Sequence, residues 1–459
     1  MLPIGLAALI LSKKWLYRLF VFWTLFSATS TANFGEGENG SALQVWMLFG
    51  SLWLLRLLLD HLSTLSFSVD RKILRPCLWL IAFVFVASFS LIMPMYINGK
   101  LAITSPYLFD DSVTPLFLNR HHLTQLLYLI FGIAIAISVA NSNLRDEDRQ
   151  DTERVILLSA IFVSIWGLFQ FSCHLAGIQY PGYVFNNSEA IWGKGYLEIL
   201  EGVGIGRISS AASEPAVFAQ SLITLLPLTL PAWLKRGSVL SVSIDRSCTV
   251  LFIILVILST SSLGYLGLLI LAVLLLVLLV RTGTMPVTRA LKFAAIAAGA
   301  VVAVVTISVS SIPIVRDVFS SALLDKASTG SGVERAMTIG LAFGYFQKFP
   351  ILGIGWGSAT SHDLIVKLLS NVGMIGTFTF LGAMYSVLHA NWQSLDRLFL
   401  PLSLSRAAWF LGFTVFLCTN VLGGLSLPFG NFWLVLGMAM STGWKAQPAQ
   451  AQMLASESV

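Results

Sequence analysis

The sequence has very few charged residues. Asp, Glu, Lys and Arg together make up 11% of its 459 residues, whereas a soluble domain carries about 25%. Long stretches have no charge at all, for example those from Arg154 to Glu189 and from Arg406 to Lys445. A helix needs about 20 apolar residues to cross the hydrocarbon layer of a membrane, so each of these stretches can hold one or two spans. The scarcity of charge therefore excludes a soluble globular protein.

Cysteine is also scarce, and its spacing excludes two kinds of site. Cys77, Cys173, Cys248 and Cys418 each lie inside an apolar run and show no paired spacing. Such cysteines are typical of small core residues rather than of disulfides or metal ligands. The sequence therefore predicts neither a disulfide framework nor a metal site.

The apolar runs predict an all-α polytopic membrane protein with about twelve transmembrane helices. We place the spans at 15–32, 41–59, 76–97, 122–141, 155–177, 214–234, 248–262, 264–280, 293–312, 363–388, 406–423 and 427–444. The seventh and eighth spans share one apolar run, which the polar, glycine-containing stretch 259–264 divides. A single transmembrane domain thus covers 1–445, and the Gln/Ala/Ser-rich residues 446–459 are predicted to form a disordered cytoplasmic tail.

The positive charges predict the orientation, because Lys and Arg accumulate in cytoplasmic loops. With the N-terminus inside, 18 of the 28 Lys and Arg residues fall on inside segments and 8 on outside segments. Both termini are therefore predicted to be cytoplasmic. These loops explain the net charge of +6, so it does not indicate nucleic acid as a partner. The outside segments 98–121, 178–213 and 313–362 are long, and loops of that length usually carry function.

The first group of candidate residues precedes the sixth span. Pro215 suits the first turn of a helix, and Ser213 is a candidate N-cap. Glu214 then lies where the helix dipole favours an anion, and Arg207 lies just above, at the level of the lipid headgroups. A capping Glu and an Arg that snorkels to the interface are the simpler alternative.

The second group lies in the third long outside segment. The sequence over 334–349 has helical periodicity, and Pro350 ends it. Its apolar face would let the helix lie flat at the membrane interface. That face comprises Ala336, Ile339, Phe343 and Phe346. The following turn, Gly353-Ile-Gly-Trp-Gly357, would let the backbone approach a ligand closely. A surface helix followed by a flexible turn is the alternative.

His362 follows this glycine turn directly and opens the tenth span. Asp363 and Lys367 are spaced to pair along the helix. A neutral imidazole can take a proton from a hydroxyl group, and arginine binds phosphate bidentately. We therefore predict that Arg207 and Arg335 bind a diphosphate, and that His362 and Glu214 are the catalytic candidates, either of them being the base. Fixed cations can stabilise a departing diphosphate without a metal or a cofactor.

Three motifs, in this order, resemble the O-antigen ligase/polymerase superfamily. They are Arg207-x6-Glu214-Pro215, Arg335 with the later Phe349-Pro350-x-x-Gly-x-Gly-x-Gly, and His362-x10-Gly373. The stretch at 258–264 is also similar to a pattern of that family, in which an Arg often follows the Ser where Leu263 stands here. The resemblance covers about 200–363, and Asp363 departs from the Asn that often follows the family's His.

The resemblance implies a C-type glycosyltransferase fold in a bacterial inner (cytoplasmic) membrane, with the long loops and the active site on the periplasmic side. It implies inverting, metal-independent transfer of an oligosaccharide from undecaprenyl diphosphate to an acceptor glycan or glycolipid. Arg207 and Arg335 would hold the diphosphate, and His362 would act as base or orient the acceptor. Membrane lipids and a chain-length regulator would be further partners. We prefer an O-antigen or exopolysaccharide polymerase over a ligase.

Aromatic residues and acidic pairs complete the candidates. Trp192, Tyr196 and Trp356 are assigned to glycan binding. The pair Asp110-Asp111 would serve a different C-type glycosyltransferase, as base or metal ligand. A lipid-linked oligosaccharide flippase is the alternative from another class. It would place buried charges or broken helices near the midplane of the membrane, whereas the polar candidates here cluster at the outer rim.

Overall fold

A computed structural model shows a mostly helical chain. It describes residues 12–34, 41–64, 70–104, 113–188, 198–199, 206–234, 237–292, 295–296, 330–395, 401–423 and 427–443. The helices are α1 (Lys13–Trp23), α2 (Val45–Thr64), α3 (Arg71–Ser90), α4 (Ile92–Ile97), α5 (Arg120–Ser142), α6 (Asp146–Leu175), α7 (Pro215–Thr229), α8 (Val242–Leu258), α9 (Ser262–Arg281), α10 (Gly330–Lys348), α11 (Leu364–Ser394), α12 (Pro401–Gly423) and α13 (Gly430–Thr442). Short 3-10 turns occupy Gly182–Val184 and Leu230–Ala232.

The strands form three two-stranded antiparallel pairs. They are β1 (Ser30–Phe34) with β2 (Ser41–Gln44), β3 (Ala102–Thr104) with β4 (Val113–Pro115), and β5 (Glu198–Ile199) with β6 (Gly206–Arg207). Each pair lies in a segment that connects two helices. The third pair places Arg207 directly opposite Glu198.

Eight helical segments in the described ranges are long and apolar enough to cross a membrane. They are Val45–Leu62, Ile73–Ile97, Arg120–Ser142, Asp146–Leu175, Pro215–Ala232, Ser262–Arg281, Leu364–Ser394 and Leu404–Gly423. Each coincides with a predicted span, which confirms a helical membrane protein. Helices α1, α8 and α13 occupy three further predicted positions but have only 11, 17 and 13 residues. The predicted span at 293–312 falls almost entirely outside the described ranges.

The predicted division of the long apolar run is confirmed. Helix α8 ends at Leu258 and α9 begins at Ser262. Thr260 adopts a left-handed backbone with φ 46, and the Ser261 hydroxyl caps α9 by accepting a hydrogen bond from the Gly264 N–H. Hydroxyl side chains that bond to nearby backbone groups favour turns and N-caps over helix interiors, which explains why the run breaks here.

Helix α7 lies at the centre of the bundle. Every residue from Val217 to Thr229 is buried, and α8, α9 and α12 pack around it. A Cβ on Gly412 of α12 would stand 2.4 Å from the carbonyl oxygen of Thr224, so the two backbones meet at a glycine, as membrane helices commonly do. This packing fixes the N-terminus of α7, where Glu214 is located.

Most of the described ion pairs gather at one end of the bundle. Lys13 of α1 contacts Asp60 of α2 at 3.1 Å, and Arg18 of α1 contacts Asp151 of α6 at 2.6 Å. These residues all belong to segments, or to span ends, that the sequence predicts to be cytoplasmic. The structure thus brings the predicted inside segments together, and the candidate catalytic residues lie at the opposite helix ends.

A second, smaller apolar cluster joins two of the long outside segments. It comprises Ile97, Leu101, Ile103, Leu116, Tyr345, Ile354 and Ala359. The Tyr345 hydroxyl of α10 also accepts a hydrogen bond from the Thr104 N–H of β3 at 3.2 Å. The β3–β4 pair, α10 and the glycine turn therefore form one cap at this end.

Helix α10 contacts the bundle through a face other than its predicted apolar face. Ala342 and Tyr345 are buried and Thr338 is half-buried, whereas Ala336 and Phe343 of the predicted apolar face are exposed and its other two residues are half-buried. That this apolar face lies at the membrane interface stays a prediction. The inward face includes Arg335, and it packs along α11. The helix is thus docked on the bundle through its polar edge.

Candidate functional site

Arg335 and Glu214 line the same small cavity. It lies at the N-terminal ends of α7 and α9, beside the C-terminal end of α12, and its other lining residues are apolar or amide. The lining consists of Glu214, Ala216, Val217, Gln220, Leu263, Arg335 and Gly423. Residues from α7, α9, α10 and α12 that are far apart in the sequence therefore meet at one point.

Glu214 is the N-cap of α7, one residue later than predicted. Its backbone is extended, with φ −146 and ψ 156, and Pro215 takes the first helical position. The Ser213 N–H instead donates a hydrogen bond to the hydroxyl of Ser27, in the segment between α1 and β1, at 3.0 Å. The Glu214 side chain makes no capping hydrogen bond to the helix and lines the cavity.

Arg207 lies beside this cavity. Its Nε donates a hydrogen bond to the Thr260 hydroxyl at 3.1 Å. Thr260 occupies the left-handed turn just before α9, and Leu263 in the first turn of α9 lines the cavity. The polar break between α8 and α9 therefore positions Arg207, one of the two arginines predicted to bind phosphate. The sequence carried a signal for Thr260, because it belongs to the polar break.

Arg335 has an unsatisfied group. Its Nε is buried and has no hydrogen-bond partner within the described part of the chain. A buried donor of a charged side chain that lacks a partner is costly, and such exceptions call for a specific explanation. An anion bound in the cavity would supply the missing acceptor.

His362 is linked to the same helix turn as Arg335. Its Nδ1 lies 2.9 Å from the hydroxyl of Thr338, which stands one turn after Arg335 on α10. Burial, together with the positive charges of Arg335 and Lys367, lowers the pKa of His362 to about 4. The imidazole is therefore neutral near pH 7. Thr338 is a site residue that the sequence analysis missed.

The predicted pairing of Asp363 with Lys367 is wrong. Asp363 instead caps α11, its Oδ1 accepting a hydrogen bond from the Val366 N–H at 2.8 Å. The half-buried Lys367 makes no ion pair within the described residues, and its charge acts on His362. Lys367 is thus a third cation near the site.

The glycine turn packs against three helices of the protein itself. Gly353, Gly355 and Gly357 all have positive φ. A Cβ at Gly353 would stand 2.5 Å from the Ser370 carbonyl oxygen of α11, and one at Gly355 would stand 2.5 Å from Pro94 of α4. A Cβ at Gly357 would approach a side chain of α5. The close approach that these glycines permit is therefore to the bundle rather than to a ligand.

Helix α11 is broken where this turn meets it. Gly373 has φ 63 and ψ −166, which is not helical. The turn satisfies the freed groups: the Ile354 N–H donates to the Ser370 carbonyl at 2.8 Å, and the Met374 N–H donates to the Pro350 carbonyl at 2.8 Å. The turn and the broken helix thus form one unit that fixes His362 at its outer end.

The remaining candidates lie apart from this cavity or outside the described ranges. Trp356 is 7% exposed, and its ring packs edge-to-face against Phe83 at 5.6 Å. Trp192 and Tyr196 lie outside the described residues, as do Asp110-Asp111. The glycan-binding role of the three aromatic residues stays a prediction. In the described ranges, no group of three or more His, Cys, Asp or Glu side chains is placed to hold a metal ion.

No protein-family model and no curated protein matches the sequence. The fold and the site therefore define the class: a helical membrane protein with a site at one end of its bundle. Glu214 and Arg335 line the cavity of that site, whereas Arg207 and a neutral His362 contact Thr260 and Thr338 and do not line it. The resemblance to O-antigen ligases and polymerases stays a prediction.

Proposed function

We propose that the protein is a membrane glycosyltransferase that polymerises or ligates oligosaccharides carried on undecaprenyl diphosphate. One observation carries the proposal. Arg335 has a buried Nε–H without a partner in the described residues, and it lies one helical turn before Thr338, which contacts the neutral His362. An anion-binding group and a base of this kind are what transfer from a lipid diphosphate requires.

The chemistry follows from these positions. The acceptor hydroxyl attacks the anomeric carbon of the donor sugar, while His362 takes the hydroxyl proton. The bond between that carbon and the diphosphate oxygen breaks, and the electron pair leaves with the diphosphate. Arg335 and Arg207 neutralise the charge that develops there. Attack opposite to the leaving group inverts the anomeric carbon, and Glu214, in the same cavity, is the alternative base.

The placement of charge supports a periplasmic site. The basic segments that we predict to be cytoplasmic gather at one end of the bundle, with Lys13 and Arg18 in ion pairs. The candidate site occupies the other end, where a donor carried on an inner-membrane lipid would present its diphosphate. We favour a polymerase over a ligase, because we identify no lipid A-specific signature in the sequence.

A flippase is the second candidate, and the break at Gly373 favours it, because transporters often bind substrate at broken helices. In those proteins the freed backbone groups face the substrate. Here the freed backbone groups already have hydrogen-bond partners within the protein, since the N–H groups of Ile354, Gly355 and Met374 form backbone hydrogen bonds across the break. The break therefore serves packing, and we rank the flippase lower.

The test is purified protein incubated with one defined lipid-diphosphate oligosaccharide. A ladder without added acceptor indicates a polymerase, and reaction only with a glycolipid acceptor indicates a ligase. Arg335→Ala should abolish product. Lys348→Ala, which removes an exposed cation from the other end of α10, is the matched control and should leave product unchanged. Undiminished product from Arg335→Ala would overturn the proposal, and lipid translocation without transfer would establish the flippase.

A further inference from the structure

We propose that Thr338 is a positioning residue that fixes the tautomer of His362, with the proton on Nδ1 and the free lone pair on Nε2. The tautomer follows from the hydrogen bonds alone. Its consequence for proton transfer rests on the proposed function.

The hydroxyl of Thr338 has two contacts and only one hydrogen. It lies 3.1 Å from the carbonyl oxygen of Arg335 and 2.9 Å from Nδ1 of His362. A carbonyl can only accept, so both contacts are hydrogen bonds only if the hydroxyl hydrogen goes to Arg335. The hydroxyl oxygen then has only lone pairs to offer to His362, and Nδ1 must be the donor.

The charge state of the ring agrees with this arrangement. The charged groups that face His362 are Arg335 on α10 and Lys367 on α11. Both are cationic, and burial adds to their effect, so the ring is neutral and carries one proton. With that proton on Nδ1, Nε2 has a lone pair and no hydrogen-bond partner among the described residues. It is the atom able to receive a proton from an acceptor hydroxyl.

His122 differs from His362 in that both of its ring nitrogens have partners. Its Nδ1 lies 3.2 Å from the Asn119 backbone nitrogen and 2.8 Å from Asn119 Oδ1. Its Nε2 lies 3.0 Å from the Ser358 hydroxyl, which donates to the Ile354 carbonyl. Both nitrogens of His122 are occupied, and the residue ties α5 to the glycine turn. His362 alone of this pair keeps a nitrogen available.

Three variants separate positioning from mere packing. Thr338→Val keeps the shape of the side chain but removes the acceptor for Nδ1–H. Thr338→Ser keeps the hydroxyl. Thr124→Val removes an exposed hydroxyl that bonds a backbone carbonyl of α5 at 3.1 Å and lies away from the cavity, so it is the matched control.

The tautomer is measured by nitrogen-15 NMR of histidine-labelled protein in lipid nanodiscs. The chain has six histidines, and His362→Asn identifies the His362 signal. At pH 7 we expect the proton of His362 on Nδ1. Thr338→Ser should keep the His362 pattern, and Thr338→Val should abolish it. A native His362 protonated on Nε2, or an unchanged pattern in Thr338→Val, would overturn the inference.

Kinetics connect the tautomer to transfer. We expect Thr338→Val to lower kcat about 100-fold, the loss typical of misplaced proton transfer, with KM for the lipid donor changed less than about twofold. Thr338→Ser should restore the rate. If the native protein transfers no glycan while the NMR pattern is as expected, the proposed function fails and the tautomer inference stands. The two failures are therefore distinguishable.

Discussion

Asn371 and Ala359 exchange two hydrogen bonds. The Asn371 Nδ2 donates to the Ala359 carbonyl at 2.9 Å, and the Ala359 N–H donates to Asn371 Oδ1 at 3.1 Å. Asn371 is only 1% exposed. Its amide thus ties the segment after the glycine turn to helix α11, two residues before the break at Gly373.

Asn371→Asp should destabilise the protein. A carboxylate cannot donate to the carbonyls of Ala359 and Lys367, both of which the amide now serves. Leaving buried acceptors without a donor costs about 1–3 kcal/mol, and more when a charge is buried as well. Thermal unfolding in detergent, followed by tryptophan fluorescence, should show a clearly lower midpoint. Asn98→Asp, at an exposed position, is the control, and equal midpoints for the two variants would contradict the prediction.

Gly353→Ala and Gly340→Ala should have opposite effects. Gly353 has φ 65, and a Cβ there would stand 2.5 Å from the Ser370 carbonyl oxygen, so we expect a loss of about 2–4 kcal/mol from strain and overpacking. Gly340 lies inside α10 with nothing within 4 Å of its Cβ position. Alanine there should add up to about 1 kcal/mol through helix propensity. Unfolding in a denaturing detergent measures both, and a stable Gly353→Ala would refute the packing role of the turn.

Transfer should persist at mildly acidic pH. The pKa of His362 is lowered to about 4 by burial, Arg335 and Lys367, so the base stays neutral well below the value of about 6.5 for a free histidine. We expect the acidic limb of kcat/KM near pH 4. Lys367→Met should move that limb to higher pH, and Lys348→Met should not. A native limb near pH 6.5 would exclude His362 as the base.

The same pKa has a consequence for folding. The folded state binds the His362 proton more weakly than the unfolded chain, so protonation favours unfolding. Stability is therefore fully present above about pH 6.5 and is lost as the pH falls towards 4. Unfolding midpoints of native protein and His362→Asn, compared at pH 7 and pH 5, should show the smaller decrease in the variant.

Trp409→Phe should weaken the contact between α6 and α12. Glu153 is 3% exposed and accepts hydrogen bonds from Trp409 Nε1 at 2.9 Å and from the Ser405 hydroxyl. Removing the indole donor leaves a buried carboxylate with one partner fewer, which should cost about 1–3 kcal/mol. Trp15→Phe, at a residue that is 56% exposed, is the control. Identical unfolding of the two variants would show that the bond contributes nothing.

The sequence predicted those parts of the fold that depend on local composition. Apolar runs between charges located the eight helical segments in the described ranges that are long and apolar enough to cross a membrane, and the polar stretch around Thr260 located the turn between α8 and α9. It also placed Glu214 within one residue of its position as helix cap. Each of these features is determined by neighbouring residues, so no tertiary information was needed.

The face of α10 that contacts the bundle could not be predicted in this way. In water, the apolar side of a helix points inward, and periodicity reveals it. At a membrane, lipid and protein interior are similarly apolar, so periodicity does not show that Thr338 and Tyr345 face the protein while Phe343 does not. Thr338 itself gave no signal, because its bond to His362 spans 24 residues and a threonine inside an apolar helix is ordinary.

The break in α11 was hidden for a related reason. Gly373 fitted the spacing of a motif, and glycine is frequent in membrane helices, so it did not indicate a discontinuity. The break depends on hydrogen bonds from Ile354 and Met374 across the glycine turn, and these require the folded chain.

The bond from Trp409 to Glu153 has a consequence for biosynthesis, since 256 residues separate the two. At a synthesis rate of about 5–20 residues per second, roughly 13–50 s pass between the synthesis of Glu153 and the synthesis of Trp409. During this interval the nascent α6 holds a carboxylate that lacks its final partners. Arg149, one turn away on the same helix, is the neighbour available to neutralise it until α12 is inserted.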